Sequence, residues 1–178
     1  MSFDFQPTLE GPTLTMRPLS SSDWEALYGV ASDPLIWELH PLNDRWQEPV
    51  FRKFFDEAMD SGGALVAIDR ARGKIVGSSR YSTDFAAEGE VEIGWTFLAR
   101  SHWGGNTNRE MKHIMLAHAF GHYPKVIFRI GEHNLRSRRA CEKIGGQLLR
   151  RSQILKIGDR DLTHVVYAID RQGFSGLL

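Results

Sequence analysis

The chain has 178 residues, of which 42% are apolar and 25% are charged, a composition typical of one globular domain. Its 22 lysines and arginines balance 22 aspartates and glutamates. This balance removes any broad electrostatic reason to expect a nucleic acid or an anionic membrane as a partner. The single cysteine, Cys141, excludes an intrachain disulfide and a zinc site built from several cysteines.

The N-terminal stretch has neither the basic nor the apolar region of a signal peptide. No segment approaches the roughly 20 apolar residues of a membrane-spanning helix. We therefore expect a cytoplasmic protein. His113 and His118 lie five residues apart on a predicted helix and no H-E-x-x-H motif is present, so we expect no metal site.

Strands and helices alternate along the chain. Apolar spacing and cap residues predict helices over residues 23–31 and 48–60, with an irregular loop over 37–44 between them. A third helix contains the stripe Met111, Ile114, Met115 and begins near Thr107 and Glu110, which have the spacing of a capping box. A fourth helix is predicted from Asn134 to about residue 144. Strands are predicted over residues 14–18, 64–69, 75–82, 91–98, 126–130, 147–157 and 162–169. This order predicts a mixed α/β sheet with helices on its faces.

The segment from residue 91 to residue 146 is the most informative about function. Gly104 and Gly105 separate a strand from a helix start, where unpaired backbone N–H groups and the helix dipole favour an anion such as a pyrophosphate. A plain connection between a strand and a helix would look the same. The turn alone therefore does not decide between these two interpretations.

Four stretches of the chain, in order, resemble the GNAT acetyltransferase superfamily, most closely the branch with the ribosomal-protein N-terminal acetyltransferases. They are LTMRPLSSSDWEALY, EVEIGWTFLARSHWGG, the next helix ending in HAF, and the pattern Asn134-x-x-Ser137-x-x-x-x-x-Lys143-x-Gly145. The resemblance implies a single domain over residues 1–178. It also implies a mostly antiparallel sheet of about seven strands, with helices on both faces and a central parallel pair that splays apart.

The same resemblance implies that acetyl-CoA is the acetyl donor. Phe97 and Leu98 would pair with the pantetheine arm through their backbone, and Asn134 and Ser137 would bind the pantetheine or phosphate region. The pyrophosphate loop would consist of Trp103, Gly104, Gly105, Asn106, Thr107 and Asn108. The family has small residues at the positions of Asn106 and Asn108, and a polar residue at the position of Trp103.

Three residues are candidates for proton transfer. Glu92 is the candidate general base, with a surface residue or an arginine-paired carboxylate as the alternative. Ser137 is a candidate donor to the leaving thiolate, with helix capping or phosphate contact as the alternative. Cys141 stands where many relatives have a catalytic tyrosine, and it is a candidate acid or acetyl carrier. A small buried side chain is the alternative for Cys141.

The acceptor is expected to bind near Trp37, His40, Arg80 and Tyr81, although packing against the following helix would account equally for the loop residues. We therefore predict an N-acetyltransferase that acetylates a primary amine of a peptide N-terminus, an amino acid or a small molecule in a direct ternary complex. The alternative is a GNAT-like module that binds CoA or another small molecule without turnover. A different nucleotide-binding α/β protein is disfavoured, because neither a G-x-G-x-x-G motif nor a P-loop is present. The C-terminal hairpin and the tail GFSGLL offer a sheet edge and an apolar patch for homodimerisation.

Overall fold

An eight-stranded mixed sheet carries helices on both faces in the computed structural model, which describes residues 2–157 and 160–174. The strands are β1 (Leu9–Glu10), β2 (Leu14–Pro18), β3 (Ala64–Asp69), β4 (Lys74–Ser82), β5 (Glu90–Leu98), β6 (Lys125–Gly131), β7 (Gln147–Ile157) and β8 (Arg160–Asp170). The helices are α1 (Trp24–Ala31), α2 (Glu48–Asp60), α3 (Thr107–Phe120) and α4 (Leu135–Lys143). The predicted fold class is confirmed. The additional strand, β1, has only two residues, which is too short for a periodic pattern to reveal.

The strands follow the order β1-β2-β3-β4-β5-β6-β8-β7. Every neighbouring pair is antiparallel except β5 and β6, which are parallel. The predicted C-terminal hairpin corresponds to β7 and β8. Its tip at residues 158 and 159, and residues 175–178 of the tail proposed for homodimerisation, lie outside the described residues.

Alternating side chains of β3 pack in two separate apolar clusters. On β3, Leu65 and Ala67 pack in the cluster that includes Met111 and Met115 of α3, while Val66 packs with Phe51 of α2 in the other. This alternation follows from the period of two along a strand. We refer to the two sides of the sheet as the α3–α4 face and the α1–α2 face.

A β-bulge in β5 marks the centre of the sheet. Ser78 of β4 lies opposite Phe97, but Arg80 lies opposite Gly94, so β5 holds one extra residue between these pairs. Trp95, within the bulge, has a φ of 51°, a left-handed conformation that is unfavourable for a bulky side chain. The parallel register between β5 and β6 ends just before the bulge, at Glu92 and Ile127. Beyond that point the central parallel pair separates, as the resemblance implied.

A buried carboxylate joins α3 to the start of β2. Glu110 is 5% exposed, and its Oε1 accepts hydrogen bonds from the backbone N–H groups of Thr13 at 2.7 Å and Leu14 at 2.8 Å. The capping box predicted for Thr107 and Glu110 is therefore wrong. Thr107 is the first helical residue, Asn106 is the N-cap residue, and the Glu110 carboxylate binds a distant strand instead of the helix start.

We expect Glu110→Ala to destabilise the protein by about 2–4 kcal/mol, because it leaves the buried Leu14 N–H group and the partly buried Thr13 N–H group without this acceptor. Glu110→Gln is the matched control, since its amide oxygen can still accept both N–H groups. Urea unfolding monitored by circular dichroism measures both variants. Equal losses for the alanine and glutamine variants would contradict the assigned role of the acceptor oxygen.

Candidate active site

Shortly after β5 ends, the first backbone N–H groups of α3 have no acceptor among the residues that the structure describes. The first intrahelical bond joins the Glu110 N–H group to the Asn106 carbonyl oxygen at 2.8 Å. The N–H groups of Thr107, Asn108 and Arg109 therefore precede the helical ladder, at the positive end of the helix dipole. This arrangement can bind an anionic group without any basic side chain.

In the loop before α3, the two glycines have free space beside them, whereas the tryptophan side chain is held by contacts with its neighbours. Gly104 has a φ of 74°, and apart from adjacent residues of the chain no described atom lies within 4 Å of a Cβ built on Gly104 or Gly105. Trp103 Nε1 donates to the Leu98 carbonyl oxygen at 3.0 Å, and the Arg136 guanidinium lies 4.2 Å from the centroid of the Trp103 ring. Trp103 thus occupies a backbone acceptor that the family resemblance assigns to the pantetheine arm.

Asn134 and Ser137 meet at the start of α4. Asn134 is buried, and its Oδ1 accepts from the Ser137 backbone N–H group at 3.2 Å, so the predicted N-cap is confirmed. The Ser137 side chain is half-buried. Arg138, in the same turn, donates to the Tyr167 hydroxyl at 3.1 Å and to the Glu132 carbonyl oxygen at 2.9 Å. These bonds hold the Arg138 side chain against β8 and against the residue that follows β6.

Glu92 lies on the α1–α2 face, where the parallel pairing ends. Its side chain is 2% exposed, and its Oε2 accepts from Arg129 Nε at 2.8 Å. Arg129 Nη1 also donates to Gln153 Oε1 at 3.0 Å. Burial raises the pKa of Glu92, and the charge of Arg129 opposes that rise. Gly94 leaves room for the carboxylate, because a Cβ at that position would lie 2.8 Å from Glu92 Oε1.

Arg80 and Tyr81 lie on opposite faces of β4. Arg80 is buried on the same face as Glu92, and its guanidinium lies 4.6 Å from the centroid of the Trp95 ring. Tyr81 is also buried, but its hydroxyl donates to the Met115 carbonyl oxygen of α3 at 2.8 Å. The structure therefore brings Arg80 to Glu92 and does not bring Tyr81 there.

Trp37 and His40 belong to the loop before α2. Trp37 packs into the core, with its ring centroid 5.1 Å from that of Phe97, and its Nε1 donates to the Ala31 carbonyl oxygen at 2.8 Å. His40 Nε2 lies 3.2 Å from Arg45 Nη1. Burial, together with the positive charge of Arg45, lowers the pKa of His40 to about 3. His40 is therefore a neutral imidazole at physiological pH.

A buried lysine on the α3–α4 face was not predicted from the sequence. Lys112 Nζ donates to Ser79 Oγ at 3.2 Å and to Thr96 Oγ1, and it lies 5.6 Å from the Phe128 ring centroid. Burial lowers the pKa of Lys112 to about 7. Burial also raises the pKa of the neighbouring Cys141 thiol to about 12, although the charge of Lys112 opposes that rise. A thiol with this pKa stays protonated and is a weak acid, which favours a packing role for Cys141.

The sequence did contain one signal for this lysine. Lys112 precedes Met115, Leu116 and Ala119 by three, four and seven residues, which places it on the buried stripe of α3. A lysine at an apolar position of a helical stripe is either paired or functional, because an ammonium group is costly to bury.

We expect Lys112 to make the stability of the protein depend on pH above neutrality. Between its folded pKa and the ordinary lysine pKa, the unfolded chain keeps a proton that the native state has lost, so raising the pH stabilises the native state. The free energy of unfolding should rise by about 1.4 kcal/mol per pH unit from this group. Urea unfolding at pH 7.5, 8.25 and 9 measures the slope.

Lys112→Met should remove this slope, whereas Lys143→Met, which replaces an exposed lysine of α4, should keep it. The Ser79 and Thr96 hydroxyls remain bonded to each other at 2.8 Å, so the methionine variant leaves them partnered. A Lys112→Met profile parallel to that of the wild type would contradict the low pKa.

In the part of the chain that the structure describes, no helix is long and apolar enough to cross a membrane. Over the same residues, no three His, Cys, Asp or Glu side chains cluster as metal ligands would.

Solved structures of acetyltransferases share this fold. A GNAT-family acetyltransferase from Bacillus anthracis is 21% identical, with 93% of this chain and 99% of that chain covered and a TM-score of 0.76. A GCN5-related N-acetyltransferase from Brucella melitensis is 19% identical, with 95% and 80% covered and a TM-score of 0.78. A spermidine N-acetyltransferase from Vibrio cholerae, in complex with CoA and spermine, is 14% identical, with 92% and 99% covered and a TM-score of 0.67. At these identities the likeness shows the fold alone.

The family comparison is more specific than the structural one. None of the curated proteins compared with the chain matches it. The acetyltransferase (GNAT) domain family matches residues 13–147, which include β2 to α4 and therefore both the α3 start and Glu92. The chain belongs to the GNAT acetyltransferase family.

Proposed function

We propose that this protein is an N-acetyltransferase that transfers an acetyl group from acetyl-CoA to a primary amine in a direct ternary complex. The observation that carries the proposal is the separation of β5 from β6 after Glu92. This opening has free α3 amides near it on one side and a buried carboxylate on the other. Such an opening lets a donor and an acceptor approach one reaction point from opposite faces of the sheet.

The cofactor is proposed to bind from the α3–α4 face. Beyond Glu92 the β6-facing edge of β5 has no strand partner among the described residues, so the backbone at Phe97 and Leu98 can pair with the pantetheine amides. The amides at the start of α3 would take the pyrophosphate. Arg109 and Lys143 line a groove between α3 and α4 and add positive charge beside it. CoA supplies the activated acyl group, and the chain supplies position and proton transfer.

Glu92 is proposed as the general base, directly or through a water molecule. Its raised pKa makes it a stronger proton acceptor than an exposed glutamate, and the Arg129 contact fixes its orientation. The deprotonated amine attacks the thioester carbonyl, the new C–N bond forms, and the C–S bond breaks to release CoA as a thiolate. Ser137 is the proposed donor to that thiolate, and Cys141, with its high pKa, is assigned to packing.

A second candidate function is a GNAT-like module without turnover, and one observation favours it. Trp103 holds the Leu98 carbonyl oxygen and stacks on Arg136, which in turn donates to the Ile36 carbonyl oxygen at 2.7 Å. These contacts must break, or the cofactor must follow a different edge, before the pantetheine arm can use Leu98.

Calorimetric titration with acetyl-CoA and, separately, with CoA tests the cofactor site first. We expect micromolar binding of both, followed by thiol release when amines are added. Binding without thiol release for any amine supports the module without turnover. A folded protein that binds neither compound contradicts the acetyltransferase function and leaves a module whose ligand is another small molecule.

Glu92→Gln should lower kcat by about 100-fold or more, because it removes the proton acceptor while keeping the shape of the side chain. The dissociation constant for acetyl-CoA should not change. Glu90→Gln is the matched control, since Glu90 is a buried glutamate two residues earlier that pairs with Arg151 at 2.6 Å. Similar kcat losses in both variants would argue against a specific role for Glu92.

A further inference from the structure

One buried arginine on the α1–α2 face has two nitrogen atoms that the described residues leave without a hydrogen-bond partner. Arg80 is 6% exposed, and its Nε and Nη2 atoms have no hydrogen-bond partner among residues 2–157 and 160–174. Its guanidinium instead lies 4.6 Å from the Trp95 ring centroid and 5.8 Å from that of Phe54. A buried cation without hydrogen bonds is costly, so stability alone does not explain this residue.

Arg129, on the same face, shows how a structural arginine is accommodated there. It also lies near Trp95, at 5.7 Å from the ring centroid, but Glu92 and Gln153 accept its N–H groups and the Phe85 ring centroid lies 3.8 Å away. Its side chain is 5% exposed, so its burial resembles that of Arg80. The difference between the two arginines is therefore the missing acceptor, not the environment.

The two unpartnered atoms of Arg80 define the group that fits them. Nε and Nη2 carry parallel N–H bonds along one edge of the guanidinium, and this edge matches the two oxygens of one carboxylate. We propose that the acceptor amine carries a carboxylate, which binds this edge of Arg80. The proposal rests on the N-acetyltransferase function proposed above, and it narrows the acceptor to amino acids and related amino carboxylates.

The strand register places this edge close to the proposed base. Arg80 lies opposite Gly94, and Glu92 is two residues from Gly94 on the same face, so Arg80 and Glu92 are diagonal neighbours. Diagonal Cβ atoms are about 7 Å apart. A small molecule can therefore place its amine at Glu92 and its carboxylate at Arg80 only if the two groups are separated by a few bonds. An amino acid has this spacing, and a long polyamine has no group for Arg80.

The buried charges of this face also favour an anion. Burial lowers the pKa of Arg45 to about 10, so Arg45 stays charged at neutral pH, while His40 is neutral. Three carboxylates act on Arg80 as more distant charges. Glu57 and Asp84 are exposed, and Glu92 is buried but already paired with Arg129. Solvent screens exposed carboxylates more strongly than buried guanidinium groups.

An outer pocket between the loop before α2 and β8 adds the complementary charge. Glu38, Glu132 and Asp161 line it, and all three are exposed. Glu38 already pairs with Arg136 at 3.3 Å, so Glu132 and Asp161 contribute most of the negative charge. These carboxylates attract the ammonium group of an incoming acceptor, whereas Arg80 binds its carboxylate. A zwitterionic amino acid carries both the ammonium group that the pocket carboxylates attract and the carboxylate that Arg80 binds.

Matched acceptors test the proposal. Thiol release from acetyl-CoA is measured with phenylalanine, glutamate and glycine, with their carboxamides, with phenethylamine and with spermine. We expect kcat/KM for at least one amino acid to exceed that of its carboxamide by about 10- to 100-fold, the range of a charged hydrogen-bonded contact. In Arg80→Met this ratio should fall to about one, because only the carboxylate contact is removed.

Arg52→Met is the matched control, since Arg52 also lies over an aromatic ring, 3.3 Å from the Trp24 centroid, but is exposed. It should keep the wild-type ratio, and both variants should keep the wild-type affinity for acetyl-CoA. If the ratio of kcat/KM for the amino acid to that for its carboxamide stays at the wild-type value in Arg80→Met, the proposal is overturned. A wild-type preference for spermine or for the carboxamides also overturns it.

Stability measurements separate failure of this proposal from failure of the proposed function. If no amine is acetylated, the thermal shift of the wild type with the same amino acids still reports the carboxylate site. A shift in the wild type that is absent in Arg80→Met supports the site, and equal or absent shifts in both proteins overturn it.

Without ligand, Arg80→Met should be at least as stable as the wild type, whereas Arg129→Met should be less stable. Equal destabilisation of the two variants would mark Arg80 as structural.

Discussion

The ending of the parallel pairing between β5 and β6 is the constraint on which the rest of the site depends. Only Glu90, Val91 and Glu92 pair with β6 before the bulge at Trp95 turns β5 away. A continuous ladder would close the sheet at its centre and bury both edges. Because the ladder stops, one strand edge becomes available to a ligand, and groups on the two faces of the sheet can act at a common point.

The two faces contribute different chemistry to that point. The α3–α4 face presents backbone amides at the start of α3 and a buried amine, Lys112, hydrogen-bonded beneath the bulge. The α1–α2 face presents the Glu92 carboxylate and the Arg80 guanidinium. Backbone amides at a helix start can bind a diphosphate. A carboxylate beside a guanidinium can pair with the ammonium group and the carboxylate of an amino acid. In the proposed function, this division puts the donor and the acceptor on opposite sides of the sheet, so neither has to pass the other.

Buried charges in this protein fall into two groups with different consequences. Glu110 and Arg129 have their hydrogen-bond partners, and their loss is expected to weaken the fold. Within the described part of the chain, two nitrogens of Arg80 have no acceptor, and the hydrogen bonds of Lys112 go to hydroxyl groups. Burial lowers the pKa of Lys112 to about 7. Burying such groups costs stability in the free protein, and for Arg80 the proposed carboxylate would offset that cost.

Local patterns of residues predict the helices and strands, because helix stripes, caps and β-prone runs act over a few residues. Helix α2 and the Asn134 cap follow from such local patterns, and the family resemblance supplied the topology. Only the tertiary structure decided which charges meet. Glu92 and Arg129 are 37 residues apart and Thr13 and Glu110 are 97 apart, and no local pattern encodes such pairs. Likewise, the β-bulge set the register that put Arg80 beside Glu92 and left Tyr81 on the other face, because alternation along a strand assigns sides only once the pairing is known.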